Sequence, residues 1–209
     1  MNYPEYVRIE GKLYKINSDF RVAIECQEIA TNINISDYER SLAIIYKLFG
    51  DEGINTPKHY EKLLELGIKY LSCGKEIIDT NEEPDMDFSQ DIDLIRISFM
   101  AEYNGLDIKN ISMHWWEFYN RINGLSNSEM GNCCLLNKVR NIRSFDEKDI
   151  NDPKQLQQIR NAKKQVALKK KEIKNELTNE QQKNIENYYK MTGIIRKEWF
   201  HGWICYNRN

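Results

Sequence analysis

Hydrophobic and polar positions along the chain change period once, near residue 18. Before it, Tyr6-Val7-Arg8-Ile9 and Lys12-Leu13-Tyr14-Lys15-Ile16 alternate around Glu10-Gly11, which predicts a β-hairpin. A two-stranded hairpin is marginal in water, so it must pack on something else. After Ser18-Asp19, a candidate N-cap, apolar residues recur at helical spacing. The first stripe is Val22, Cys26 and Ile29. The second follows Ser36 with Glu39 three residues on, a capping-box pattern, and carries Tyr38, Leu42, Ile45 and Phe49 before Gly50. The clearest helix follows Pro57, with Tyr60, Leu63, Leu64, Gly67, Ile68 and Leu71 on one face.

Residues 76–93 carry Glu76, Asp79, Glu82, Glu83, Asp85, Asp87, Asp91 and Asp93 and no Lys or Arg, which predicts a solvated, mobile connection. A helix from about Phe88 would carry Ile92, Ile95, Phe99 and Tyr103 and end at Gly105. Residues 110–125 form the most aromatic helix, with Ile111, Trp115, Phe118, Ile122 and Leu125 on its stripe and Trp116 and Tyr119 widening it. Another helix is expected over about 127–142 on Met130, Leu135, Val139 and Ile142.

Composition shifts near Asp152-Pro153. Lys and Arg dominate 153–183, while Leu156, Ile159, Val166, Ile173 and Leu177 form a heptad seam with Lys163 and Lys170 in two of its seats. That pattern predicts a long basic helix that projects or binds a partner. The tail, Trp199-Phe200-His201-Gly202-Trp203-Ile204-Cys205-Tyr206, is a second aromatic concentration. The expected architecture is therefore mainly α: a helical bundle with a short N-terminal β-hairpin and a long basic C-terminal helix. Residues 1–151 would form the hairpin and helical core domain, and 152–209 a basic helix with an aromatic extension.

Composition sharpens this picture in one respect. The 209-residue chain has 30 basic and 32 acidic residues and a net charge of -2. That near-neutrality is a cancellation between the basic C-terminal helix and an acidic remainder, so attraction of the whole molecule to nucleic acid or membrane is not expected. No apolar run approaches the roughly 20 residues that span a bilayer, and the N-terminus lacks a basic and apolar leader pattern, which predicts a cytosolic protein. Five cysteines, two of them adjacent and none in a CxxC pair, read as free thiols in a reducing compartment rather than as zinc ligands.

Candidate chemistry is sparse. There is no GxxxxGK[ST], GxGxxG or GxSxG motif. His114 could serve a small hydrolase, yet no spacing selects a partner for it, and a capping or packing role is favoured. His201 and Cys205 stand four apart, but two ligands do not make a zinc site. Asp85-Met86-Asp87 and Asp91-Ile92-Asp93 lack the EF-hand order, so solvated charge is favoured over calcium. No cofactor and no catalytic residue are expected. The basic 154–183 helix supports a second reading, a nucleic-acid-binding regulator, although it lacks the interleaved aromatics of a single-strand binder. The residues expected at a protein interface are Trp116, Tyr119, Ile159, Lys163, Val166, Lys170 and Ile173, with Trp115 and Phe118 in the core.

Five segments in order carry a family resemblance: Ile9-Glu10-Gly11-Lys12-Leu13-Tyr14-Lys15-Ile16 running into Asp19-Phe20-Arg21; Tyr70-Leu71-Ser72-Cys73-Gly74-Lys75; the acidic stretch into Asp87-Phe88; His114-Trp115-Trp116-Glu117-Phe118; and Arg140-Asn141-Ile142-Arg143 before a Lys-rich helix through Lys169. Over roughly residues 3–171 the chain resembles the phage "gene product fifteen" family of siphophages and prophages of Gram-positive bacteria, with His-Trp-Trp the most specific segment. The resemblance implies a non-enzymatic tail-assembly chaperone in the cytoplasm of the bacterial host. Its implied partners are the tape-measure protein and the tail-tube protein. Residues 172–209 depart from the family pattern, so no role passes to Trp199, Trp203 or Cys205; contact between copies of the chain is one expectation for them.

Overall fold

The hairpin forms at the expected place. In the computed structural model, which describes residues 3–76, 84–127, 133–150 and 152–169 together with Lys183 and Asn187, strands β1 (Tyr6–Ile9) and β2 (Lys12–Lys15) pair antiparallel with Ile9 opposite Lys12. Glu10 and Gly11 connect them with φ of 49° and 84°. Two successive left-handed residues match the twist of flanking strands, which is why so short a connection works. Ile9 and Tyr14 point into the core, while Tyr6 and Leu13 lie on the solvent face.

Seven α-helices follow among the described residues, so the protein is mainly helical with one hairpin. They fall into two compact units. The first draws on described residues within Met1–Thr80 and Ser112–Phe118, the second on those within Asn81–Ile111 and Tyr119–Lys170.

In the first unit, Asp19 caps α1 (Phe20–Ala30) by accepting the Arg21 N–H. The buried face of α1 is Phe20, Ala23, Cys26 and Ala30, flanked by Ile24 and Gln27; Val22 and Ile29 are only half-buried at its edges. The expected stripe was rotated because two alanines, uninformative by hydropathy, occupy the closest-packed positions. Helix α2 (Asp37–Ile54) opens with the full Ser36–Glu39 capping box. Gly50 does not end α2 but kinks it, at φ 61° and ψ −156°, and the helix resumes to Ile54. Beside the kink, the Leu48 carbonyl accepts the Asn17 N–H at 2.8 Å. A 3-10 turn, Pro57–His59, leads into α3 (Tyr60–Leu71), whose buried face includes the expected Leu63, Leu64, Gly67, Ile68 and Leu71. Gly67 lets α3 approach α2 closely, since a Cβ there would stand 2.9 Å from Leu48 Cδ1.

His59 is buried between the hairpin and this turn. Its Nδ1 shares a hydrogen bond of 2.7 Å with the Tyr14 hydroxyl, and its Nε2 lies 3.2 Å from Glu10 Oε2. The hydrogen bond and charge of His59, with Lys58 and Lys62 nearby, hold the Glu10 carboxyl below the usual carboxylate range. The marginal hairpin thus obtains tertiary support at both its core face and its turn.

In the second unit, α4 (Ile92–Glu102) buries Ile95, Ser98 and Phe99. Helix α5 (Trp115–Asn123) is shorter than the expected 110–125 and passes from the first unit's sequence into the second's; Trp115, Phe118 and Ile122 are buried on its stripe and Leu125 just beyond it, while Ile111 precedes the helix and is half-buried. Helix α6 (Leu135–Ser144) begins eight residues later than expected. Cys134 is its N-cap, with Sγ accepting the Asn137 N–H, and Asn127 bridges Cys133 before it. This cap sets the rotation of the helix, so Leu136 is buried and Leu135 exposed, the reverse of the predicted stripe. Met130 lies outside the described residues.

Helix α7 (Pro153–Val166) starts at the predicted boundary, with Asp152 capping it and Pro153 in its first turn. It closes at Val166, where Ala167 turns extended at φ −58° and ψ 138°. The expected heptad positions Lys170, Ile173 and Leu177 lie outside the described residues.

Candidate protein-interaction site

Three of the family-like segments converge in the first unit. The chain before α1 and the chain before α5 pair as a short antiparallel bridge, with Phe20 N–H donating to the Met113 carbonyl and Trp115 N–H to that of Ser18. Ser112 donates its hydroxyl to Asp19 Oδ2 at 2.8 Å, and Phe20 stacks on Phe118 with centroids 4.3 Å apart. Against this bridge lies the end of α3. The last carbonyls of a helix lack intrahelical donors and need partners from elsewhere. Here the Trp115 indole N–H donates to the Leu71 carbonyl and the Trp116 indole N–H to that of Tyr70, each at 2.9 Å. Adjacent tryptophans, about 100° apart around α5, therefore serve adjacent carbonyls of α3. Trp115 is fully buried; Trp116 is half-buried, stacks on Tyr70 and covers Gly74, whose φ of +74° completes the turn out of α3.

His114 orients this pair. Its Nδ1 accepts the Trp116 backbone N–H at 3.0 Å and its Nε2 donates to the Pro4 carbonyl at 3.2 Å, while Tyr3 stacks on the ring. An imidazole that accepts at Nδ1 and donates at Nε2 carries one proton, on Nε2. His114 is thus a helix cap, the capping role favoured from sequence.

The other two segments meet in the second unit. Arg143 makes a two-pronged ion pair with Asp91, Nη1 to Oδ2 at 2.7 Å and Nη2 to Oδ1 at 2.9 Å, with the carboxylate 2% exposed. The same guanidinium donates to the carbonyls of Asp85 and Val166. Arg140 pairs with Asp85 Oδ2 at 2.9 Å. Asp87 accepts the Ser89 and Gln90 N–H groups and so shapes the turn into α4. The acidic stretch was expected to be a solvated connection; its described part is instead an anchored turn. Its partners lie 52 and 55 residues away in sequence, and no local pattern links them. The signal available was an Arg pair at i, i+3 on a helix with few acids of its own. Asp79, Glu82 and Glu83 lie outside the described residues.

The expected interface residues separate between the units. Trp116 belongs to the first-unit cluster; Tyr119, Ile159, Lys163 and Val166 belong to the second and are half-buried. Ile159, Lys163 and Val166 share the side of α7 that also carries Leu156 and Ala162, and α7 packs on α6. Lys170 and Ile173 lie outside the described residues, as do Trp199, His201, Trp203 and Cys205. Sequence reasoning missed the exposed apolar side chains Ile97 and Met100 on α4, Leu135 on α6 and Phe145 just after it. Leu135 stood on an expected core stripe, Phe145 lay beyond the expected helix, and Ile97 and Met100 fell off the stripe assigned to α4.

Among the described residues no group of three or more His, Cys, Asp or Glu side chains is placed to hold a metal ion. Cys26, Cys73, Cys133 and Cys134 are free, and burial pushes the Cys73 thiol up to about 12, far from nucleophilic character at neutral pH. Among the described residues no helix is long and apolar enough to cross a membrane.

Fold and site together define a mainly helical protein in which, among the described residues, His114, Trp115, Trp116 and Arg143 tie segments distant in sequence together. The chain belongs to the family described as Bacteriophage Gp15 protein, whose family model matches residues 2–168. This is a structural or assembly family with no known catalytic role. No curated protein matches the chain, and no solved structure does.

Proposed function

We propose that the protein is a tail-assembly chaperone that binds the tape-measure protein in the cytoplasm of the bacterial host and assists assembly of the tail tube around it. The observation that carries this reading is the family match, which spans all five segments of the resemblance. The arrangement of side chains supports it: the His and Arg groups best placed for chemistry are held by other side chains and by carbonyls, while apolar groups on α4 and α6 reach the surface and those of α7 are half-covered. A tape-measure protein is a long helix, and an apolar stripe of such a helix is the kind of ligand that a helix face of this composition accommodates. Action is by binding and release, with no covalent step.

The test is co-expression with a tape-measure protein. Increased recovery of the tape-measure protein in the clarified lysate, with co-elution of the two chains, is expected. Unchanged recovery and no complex would overturn the reading. Ile159→Asp or Val166→Asp should weaken the complex, whereas Tyr46→Ser, on an exposed position of α2, should not. The competing nucleic-acid reading loses ground because Glu147 already pairs with Arg160 and Lys163 of α7.

A further inference from the structure

Helix α7 is held unlike any other helix in its unit. None of its residues is buried, whereas α4 and α6 each have fully buried positions. Its seam of Leu156, Ile159, Ala162 and Val166 is half-covered. A helix of this length is marginal on its own in water, so these few contacts and the polar ties decide whether it stays.

The ties are specific and sit along its second half. Glu147 Oε2 lies 2.9 Å from Arg160 Nε, and its Oε1 lies 3.9 Å from Lys163 Nζ. Arg143 Nε donates to the Val166 carbonyl at 2.6 Å. Beyond the helix, the Gln90 side-chain amide engages Lys169 in both directions, accepting its N–H at 2.8 Å and donating to its carbonyl at 3.3 Å. Three side chains from three places in the sequence thus hold one helix that has little burial of its own. Helix α7 also carries Lys154, Arg160, Lys163 and Lys164 and no acidic residue.

We propose that α7 is a releasable strap, which opens to pair its Leu156–Ile159–Val166 seam with an amphipathic helix of a partner that is acidic beside its apolar stripe. The proposal rests on the binding reading above and adds its regulation: the seam is half-covered until the strap opens. Charge chooses the partner class. Glu147 is the acid that faces Arg160 and Lys163 in the closed state, and a partner helix with Glu beside its seam would take over that contact.

Hydrogen exchange on the full chain tests the release, and a synthetic peptide tests the partner. The α7 amides should exchange well before those of α4 and α6. In the double variant Gln90→Ala/Glu147→Gln, which removes two hydrogen bonds and two ion pairs, α7 exchange should accelerate about tenfold while α4 and α6 stay unchanged. The probe is a peptide of about four heptads with Leu at the seam and Glu flanking it, alongside a Lys-flanked counterpart. The double variant should bind the Glu-flanked peptide tighter than the unaltered chain by a similar factor, and bind the Lys-flanked one no better. Exchange of α7 in step with α4 and α6, no acceleration in the variant, or equal binding of both peptides would overturn the proposal. Salt-sensitive capture of duplex DNA in place of the peptide would overturn the partner class. Failure of tape-measure co-elution would remove the chaperone reading and leave these exchange results standing, so the two outcomes separate.

Discussion

Replacing Arg143 with Met gives the most direct measure of what holds the second unit together. The Asp91 carboxylate is 2% exposed and the Arg143 side chain 10%, so the substitution strands a desolvated anion that keeps the Asp87 N–H at 3.0 Å. Breaking a buried pair from one side costs about 3–5 kcal/mol. The Asp85 and Val166 carbonyls also lose a donor, at about 1 kcal/mol each where water does not replace it. Against a total stability of about 5–15 kcal/mol, this is a large fraction. Urea unfolding followed by far-UV circular dichroism reads the loss, and hydrogen exchange of α4 and α6 amides localises it. Asp91→Leu alone should also be costly, because it strands the guanidinium. The double variant Arg143→Met/Asp91→Leu leaves no uncompensated charge, so it should recover much of the loss, with a coupling of about 2 kcal/mol or more. Arg143→Met costing under about 1 kcal/mol, or a double variant costing the sum of the singles, would refute the reasoning.

Three further outcomes are expected. Trp115→Phe leaves the buried Leu71 carbonyl without its indole donor and opens a cavity, a loss of about 2–4 kcal/mol; Trp116→Phe should cost about 1 kcal/mol or less, because Tyr70's carbonyl keeps the Cys73 N–H and the Trp116 ring is only half-buried. Equal losses in denaturant titrations would contradict this asymmetry. Gly67→Ala should destabilise by about 1–3 kcal/mol through collision with buried Leu48, and Leu48→Ala in the same chain should relieve part of that strain. The Arg96 guanidinium and the Lys109 N–H hold the Asp107 carboxyl down at about 2 from the ordinary 3.8. Because the folded-state value is depressed, the stabilisation from this pair is complete above about pH 4 and is lost as pH falls through about 2. Carboxyl-carbon NMR should follow that titration, and Arg96→Gln should move its midpoint back up; an unmoved midpoint would exclude Arg96 as the cause.

Local chemistry made much of the fold legible in the sequence. The hairpin, the Ser36–Glu39 box and the α3 face depend on neighbours within four residues, and the structure has all three. The α1 stripe and the α6 phase were misjudged where Ala23, Ala30 and the Cys134 cap carried the information, since none of them stands out by hydropathy. Gly50 is a different case: a residue that ordinarily terminates helices is here absorbed as a kink. The acidic stretch could not be read because its meaning lies in Arg140 and Arg143, far along the chain. At the candidate site, the sequence drew attention to His114, Trp115 and Trp116. It did not disclose that their hydrogen-bonding groups are directed at the α3 carbonyls, Pro4 and the backbone of α5 itself.

The Trp–carbonyl junction also sets an order of events during synthesis. Trp115 lies 44 residues beyond Leu71, and Ser112 lies 93 beyond Asp19. At about 5–20 residues per second, a ribosome needs roughly two to nine seconds after completing α3 to deliver the residues that close it. Throughout that interval the nascent chain carries α1 without the Phe118 ring on Phe20 and α3 without its two indole donors. The N-terminal unit therefore matures only when a segment made after α4 returns to it. Codon-level pauses between 72 and 118 would lengthen the exposure of that face, and a chain terminated before Ser112 would never cover it.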